Sequence, residues 1–221
     1  MKKMTVKALY SLENTIAAPI FEGVEYPYEV LPKIGEFIKK LGATLDTERF
    51  EVLDGDVYIA KSAKVAPTAS ITGPCIIDED AEIRHCAFIR GNALVGKGCV
   101  VGNSTELKNV ILFDKVQVPH YNYVGDSVLG FKSHMGAGSI TSNVKSDKTL
   151  VSVRYEGGII ETGLKKFGAM LGDNVEVGCG SVLNPGTIVG QNSNIYPLSS
   201  VRGFVKANSI YKNKNEVVEK R

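Results

Sequence analysis

Ile77-Asp-Glu-Asp-Ala-Glu-Ile83-Arg-His-Cys-Ala-Phe-Ile89-Arg-Gly-Asn-Ala-Leu-Val95 sets a large apolar residue every six positions and a small one four positions after each, at Ala81, Ala87 and Ala93. Working outward, the large residue holds one phase through Ile59, Val65, Ile71, Ile77, Ile83, Ile89, Val95, Val101, Leu107, Phe113 and Pro119. The small one recurs at Ala63, Ala69, Cys75, Cys99 and Thr105. The phrase resumes at Leu171, Val177, Leu183, Val189, Ile195 and Val201. Neither a helical period nor strand alternation produces this spacing, whereas a solenoid does. The expected unit is a short strand and a turn per hexad, three hexads per triangular coil. The large side chain points inward and the small one fills the tight corner. Coils then stack at the strand spacing of about 4.8 Å. The β-helix is expected over residues 53–205.

Before and between the hexads the pattern changes. Leu31, Ile34, Phe37, Ile38 and Leu41 mark one face of a helix that Gly42 ends, and Asn14-Thr-Ile-Ala-Ala-Pro suggests a second short one. Residues 1–52 are therefore expected to form a short α-helical cap, because a solenoid needs its end coils covered. Residues 144–167 carry no hexads and read as an inserted loop or hairpin. Residues 206–221 mix Lys and Arg with Glu216 and Glu219 and read as a solvated tail.

Composition narrows the function classes. The 221 residues are 43% hydrophobic with a formal net charge of +2, too small a basic excess to suggest a nucleic-acid partner. No run approaches the length of a membrane span, and Met1-Lys-Lys-Met lacks the apolar stretch of a signal peptide, so a cytoplasmic location is expected. Cys75, Cys86, Cys99 and Cys179 form no CxxC pair and have no closely spaced His, so they are expected to be free thiols with no metal.

One stretch breaks the apolar monotony of the coils: Gly102-Asn-Ser-Thr-Glu-Leu-Lys-Asn-Val, Val118-Pro-His-Tyr-Asn-Tyr-Val-Gly-Asp-Ser and Met135-Gly-Ala-Gly-Ser-Ile-Thr-Ser-Asn. With the hexads, it resembles the hexapeptide-repeat acyltransferases. Within them it is similar to the acetyltransferase half of the bifunctional glucosamine-1-phosphate acetyltransferase and N-acetylglucosamine-1-phosphate uridyltransferase. The resemblance implies left-handed coils, against the general preference for right-handed crossovers. It also implies a homotrimer with clefts between subunits, a loop that reaches a neighbouring subunit, and acetyl-CoA as co-substrate. Transfer to an amino sugar phosphate such as glucosamine 1-phosphate is the implied reaction. Other acceptors on the same scaffold, such as a nucleotide-linked sugar, and a trimeric binding module without turnover remain alternatives. The family's nucleotidyltransferase domain has no counterpart in residues 1–52, so no nucleotidyl transfer is expected.

By motif, the resemblance places His120 on the general base, Arg90 and Lys108 on phosphate-binding cations, and Tyr123 and Asn143 on sugar contacts. An imidazole titrating near neutrality can take a proton from an attacking amine. Arg90 and Lys108 are 18 residues apart, one full coil, so two cations stack on one face, where only an anion relieves their repulsion. His134 stands where the family carries a sugar-binding asparagine, which suggests a changed acceptor or a share in the proton relay. Cys179 and Pro197 fall where it carries a small CoA-contacting serine and alanine, and Arg202 completes the expected cofactor contacts.

Overall fold

The structure, a computed structural model, describes residues 2–213 and 215–220. Its body is the parallel β-helix that the repeat implies, left-handed as the resemblance implies, with three faces. The first face stacks Val57–Ala60, Cys75–Ile77, Ala93–Val95, the ends of Glu106–Leu112 and Tyr123–Leu129, then Ala169–Leu171, Thr187–Val189 and Phe204–Val205. The second stacks Lys64–Val65 through Glu82–Ile83, Val100–Asn103, Gln117–His120, His134–Met135 and Glu176–Val177 to Asn194–Ile195. The third runs from Ser70–Ile71 and Phe88–Ile89 through the starts of the two long strands to Ile140–Thr141, Val182–Leu183 and Ser200–Val201. Ile77, Ile83, Ile89, Val95, Val101 and Leu107 point inward and are buried, with Ala81, Ala87, Cys99 and Thr105 filling the corners. Ile59 and Ile71 are half-buried and Val65 is exposed; the strands that carry Val65 and Ile71 have no rung beneath them.

The hexad phase breaks after Leu107, two hexads earlier than expected. Ile89 pairs with Leu107 at a spacing of 18, but Val95 pairs with Leu112, and Val101 with Val118, at a spacing of 17. In each of the two long strands one residue is missing at the corner between the third and first faces, near Asn109 and near Asp126, so these strands turn it almost continuously. The inward positions are therefore Leu112 and Val118, not Phe113 and Pro119. Phe113 is buried for another reason: its ring lies 5.0 Å from that of Tyr10 and 5.9 Å from that of Phe21.

Those two aromatics belong to the segment expected to cap an end, and that expectation is corrected: it straps the side. On the first face the outward residues Ile76, Leu94, Ile111, Val128, Met170 and Ile188 are all apolar, and each is 0% exposed. Such an apolar ladder must be covered, and the N-terminal segment covers it. Asp173 N donates to Leu9 O, Asp173 accepts from Ser11 N, and Asp114 N donates to Asn14 O, so the strap descends from the upper coils. It doubles back, with Val6 N bonding Glu25 O, then descends through a 3-10 helix at Pro27–Lys33 and an α-helix at Ile34–Gly42. Gly42 ends close against the Tyr58 ring, beside the first coil. The ends themselves are closed by antiparallel strands, Phe50–Leu53 on Val57–Ala60 below and Glu216–Glu219 on Ser209–Asn213 above.

The segment from 206 onward is thus no free tail among its described residues. Ile210 and Tyr211 pair with Asn194 and Ile195, and Tyr211 is 7% exposed; Lys214 and Arg221 lie outside the described residues. The insertion is a hairpin, Ser152–Tyr155 with Gly158–Glu161, laid on its own coils. Val151 and Val153 are buried, Glu156 pairs with Lys206 at 2.8 Å, and the hairpin backbone runs so close to Gly203 (φ +80°) that a Cβ there would meet Arg154 O at 2.4 Å.

Candidate active site

Two columns of stacked side chains border the third face. At the corner between the second and third faces, His120 lies over Asn103, Ala137 over His120, Cys179 over Ala137 and Pro197 over Cys179. Each next residue holds a positive φ to make the turn: Ser104, Tyr121, Gly138, Gly180 and Leu198. The His120 ring is exposed, and no described residue hydrogen-bonds it. Its backbone is held instead. Asn122, 2% exposed in the small-residue slot between Thr105 and Ser139, accepts from His120 N (3.1 Å) and donates to Gly136 O (2.9 Å) and Ser139 O (3.0 Å).

At the other edge, the corner between the third and first faces, Lys108 stands one rung over Arg90, as the spacing predicts. The Arg90 guanidinium is paired with Glu106 at 2.6 Å and lies 5.8 Å from the Phe88 ring. Lys108 has no such partner among the described residues; Lys166, from the returning end of the insertion, comes beside it. Burial, then the Lys166 and Arg90 charges, push the Lys108 ammonium below the ordinary lysine range, with Asp126 opposing. A cation destabilised by two other cations is a site that gains by receiving an anion.

Between the columns lies Tyr123. Its ring crosses Gly125, where a Cβ would come within 2.5 Å of the phenol oxygen, so glycine there lets the tyrosine reach the cationic corner. Asn143 Nδ2 donates to Tyr123 Oη at 3.2 Å and to Asp126 Oδ2 at 2.5 Å. Asp126 Oδ1 accepts from Asn109 Nδ2 at 2.9 Å, and Asn109 Nδ2 also reaches Leu31 O of the strap at 3.2 Å. Burial and the Asp126 and Glu106 carboxylates raise the Tyr123 phenol above its usual range.

The third face and its two edges thus bring together His120, Tyr123, Asn143, Arg90 and Lys108, with Cys179 and Pro197 higher in the His120 column. Arg202 stands higher in the Lys108 column, one rung over Asn184, to which it donates at 3.2 Å. His134 is placed elsewhere. It is on the second face, three residues before the His120 position in register, and its Nδ1 lies 2.8 Å from Glu176 Oε2. Within one chain it shares no proton relay with His120. Sequence reasoning missed Lys166, Asp126 and Asn122. Lys166 was legible as half of a basic pair just before the hexads resume, and Asn122 once the spacing of 17 is used. No group of three or more His, Cys, Asp or Glu suited to a metal ion occurs among the described residues, and no described helix is long and apolar enough to cross a membrane.

The stacked hexads and this cationic, tyrosine-bearing face define a hexapeptide-repeat β-helix protein with a candidate site on one face. The profile of the family described as the GMPPB C-terminal domain matches residues 71–189, and the chain belongs to that family. It is 33% identical over 198 residues to "Bifunctional protein GlmU" of Methanococcus vannielii, covering 88% of this chain and 48% of that protein. It is 31% identical over 178 residues to the "Bifunctional sugar-1-phosphate nucleotidylyltransferase/acetyltransferase" of Sulfurisphaera tokodaii, covering 72% of this chain and 44% of the relative. The chain therefore spans about half the length of these curated relatives. Among solved structures, a hexapeptide transferase family protein from Anaplasma phagocytophilum aligns at 16% identity over 75% of this chain and 80% of its own, with a TM-score of 0.42.

Proposed function

We propose that this chain transfers an acetyl group from acetyl-CoA to the amine of a phosphorylated amino sugar. The observation that carries the reading is the third face, where an unpaired imidazole borders one edge and the Arg90–Lys108–Lys166 cluster the other. The cluster takes the acceptor's phosphate. His120 accepts the proton that the amine loses as its nitrogen attacks the acetyl carbon. The C–N bond forms, the C–S bond breaks, and the CoA thiolate leaves and takes up a proton. Above His120 the column carries the small side chains of Ala137 and Cys179, a slot that suits an extended thiol-bearing chain, with Pro197 farther up and Arg202 across the face. The acetyltransferase named in the Sulfurisphaera relative supports the reaction class. We extend the reading to an assembly of three copies, and to no nucleotidyl transfer by residues 2–52, of which those up to Gly42 cover the first face and Phe50 onward closes the lower end.

Release of free CoA with a panel of amino sugars tests the reading. Hexosamine phosphates are expected to exceed their unphosphorylated counterparts in kcat/KM by roughly one to two decades, the size of a charge-assisted contact. Equal rates would assign the cations to a surface ladder, and no release with any amine would remove the transferase.

A further inference from the structure

Asp126 lies in the stretch that carries the resemblance but has no role in the acyl-transfer reading, yet it sits at the centre of the site's hydrogen bonds. It is 5% exposed and held at φ +47°, stacked in a column over Asn109, also at positive φ. Its backbone carbonyl accepts from Gly168 N at 2.8 Å, where the insertion rejoins the coils, and its side chain binds Asn143, where the insertion leaves. Phe167 N donates to Asn143 O at 3.0 Å, so the two ends of the excursion are tied together beside the cationic corner.

An ionised carboxylate has only acceptors to offer. Both carboxamides that face Asp126, those of Asn109 and Asn143, must therefore turn their NH2 groups toward it. Asn143 has two amide hydrogens. One goes to Asp126 Oδ2 and the other to Tyr123 Oη, so the NH2 group is fully spent. What remains is Asn143 Oδ1, which no described residue hydrogen-bonds, a bare acceptor. Tyr123 Oη receives a hydrogen bond from Asn143 and makes none to a described residue, so its own hydrogen remains a donor. A phenol raised above its usual range keeps that hydrogen at neutral pH.

We infer that Asp126 is a positioning residue that fixes the hydrogen-bond polarity of the acceptor site, so that Asn143 presents its carbonyl oxygen and Tyr123 its O–H to the bound molecule. Resting on the acyl-transfer reading, this deepens it. The ligand must place a donor, an amine or hydroxyl hydrogen, against Asn143, and an acceptor oxygen against Tyr123 beside the Lys108–Lys166 anion site. A molecule that offers a carbonyl or an ether oxygen at the Asn143 position leaves two acceptors facing one another. The site is thus set against a sugar whose amine is already acylated with its carbonyl turned that way, which would favour release of the product.

The test compares the intact chain with Asp126→Asn in two readouts. In side-chain amide NMR spectra, assigned with Asn143→Ala, one Asn143 NH2 hydrogen of the wild type is expected far downfield and protected from exchange. Asp126→Asn should abolish both features, because two facing carboxamides can turn either way. In binding, a hexosamine phosphate should outcompete its 2-deoxy counterpart lacking the amine by about tenfold, the size of one hydrogen bond to a charged group. Asp126→Asn should lose that preference while the affinity for acetyl-CoA stays within about twofold. A freely exchanging Asn143 NH2 in the wild type overturns the inference even if the variant fails to fold. So does an unchanged preference in a folded Asp126→Asn chain. If the amide signature is present but no amine is acetylated, the transferase reading falls and the polarity of the site stands.

Discussion

His120 and His134 differ in what surrounds them, and that difference can be measured. The His120 imidazole has no partner among the described residues and a backbone held by Asn122, whereas His134 is engaged by Glu176 on another face. His120→Ala is expected to lower kcat by roughly 10² to 10⁴ with acetyl-CoA binding intact, and His134→Asn to keep most of the turnover. Steady-state kinetics on the two variants check this, and a dead His134 variant beside an active His120 variant would reverse the roles. Lys108 gives the pH dependence. Its ammonium is held below the ordinary lysine range by burial and by Lys166, and anion binding needs the charged form. The acceptor KM should therefore rise with increasing pH before an ordinary lysine would titrate. Lys108→Arg should push that rise to higher pH, because guanidinium stays charged. A KM flat to pH 10 in the wild type would show that Lys108 does not hold the anion.

At the scale of elements, the six-residue period made the stack and its corners legible, and the 18-residue interval between Arg90 and Lys108 made their stacking legible too. Two things escaped it. One residue is lost at the corner near Asn109 and a second at the corner near Asp126, which moves the inward role from Phe113 to Leu112 and shifts the phase again at Leu129, and a phase count tolerant of any apolar residue does not register either shift. The strap was mistaken for an end cap because its apolar helix face names no partner. That partner was present as a second apolar residue in every third hexad: Ile76 before Ile77, Leu94 before Val95, Val128 before Leu129, Met170 before Leu171, Ile188 before Val189. The strap's energetic weight follows. Leu94→Ala, at a position that points away from the coil interior, is expected to cost about 2–5 kcal/mol by denaturant unfolding, as a fully packed leucine does. A cost below about 0.5 kcal/mol, the range of a surface substitution, would mean that the strap does not seal the first face.

At the scale of the whole molecule, the strap decides which surfaces are left for another copy of the chain. With the first face sealed, the second and third remain, and the corner between them exposes Tyr121 (65%) and Leu198 (85%), with Phe88 (42%) beside it. Apolar side chains this exposed next to His120 fit contacts between copies, and light scattering is expected to find a species of three times the chain mass; a monomer with full turnover would sink the shared cleft. The strap also alters how the solenoid holds together. A stack of repeats ordinarily gains stability rung by rung, and its ends can fray independently. Here Met4 lines a groove with Phe204 and Tyr211 of the last coil, while Gly42 meets Tyr58 of the first. The residues around Met4 are made before those of the last coil and must therefore wait for them before they can settle. Once settled, they bind top and bottom into a single cooperative unit, so that neither end can open without loosening the segment that also holds the other.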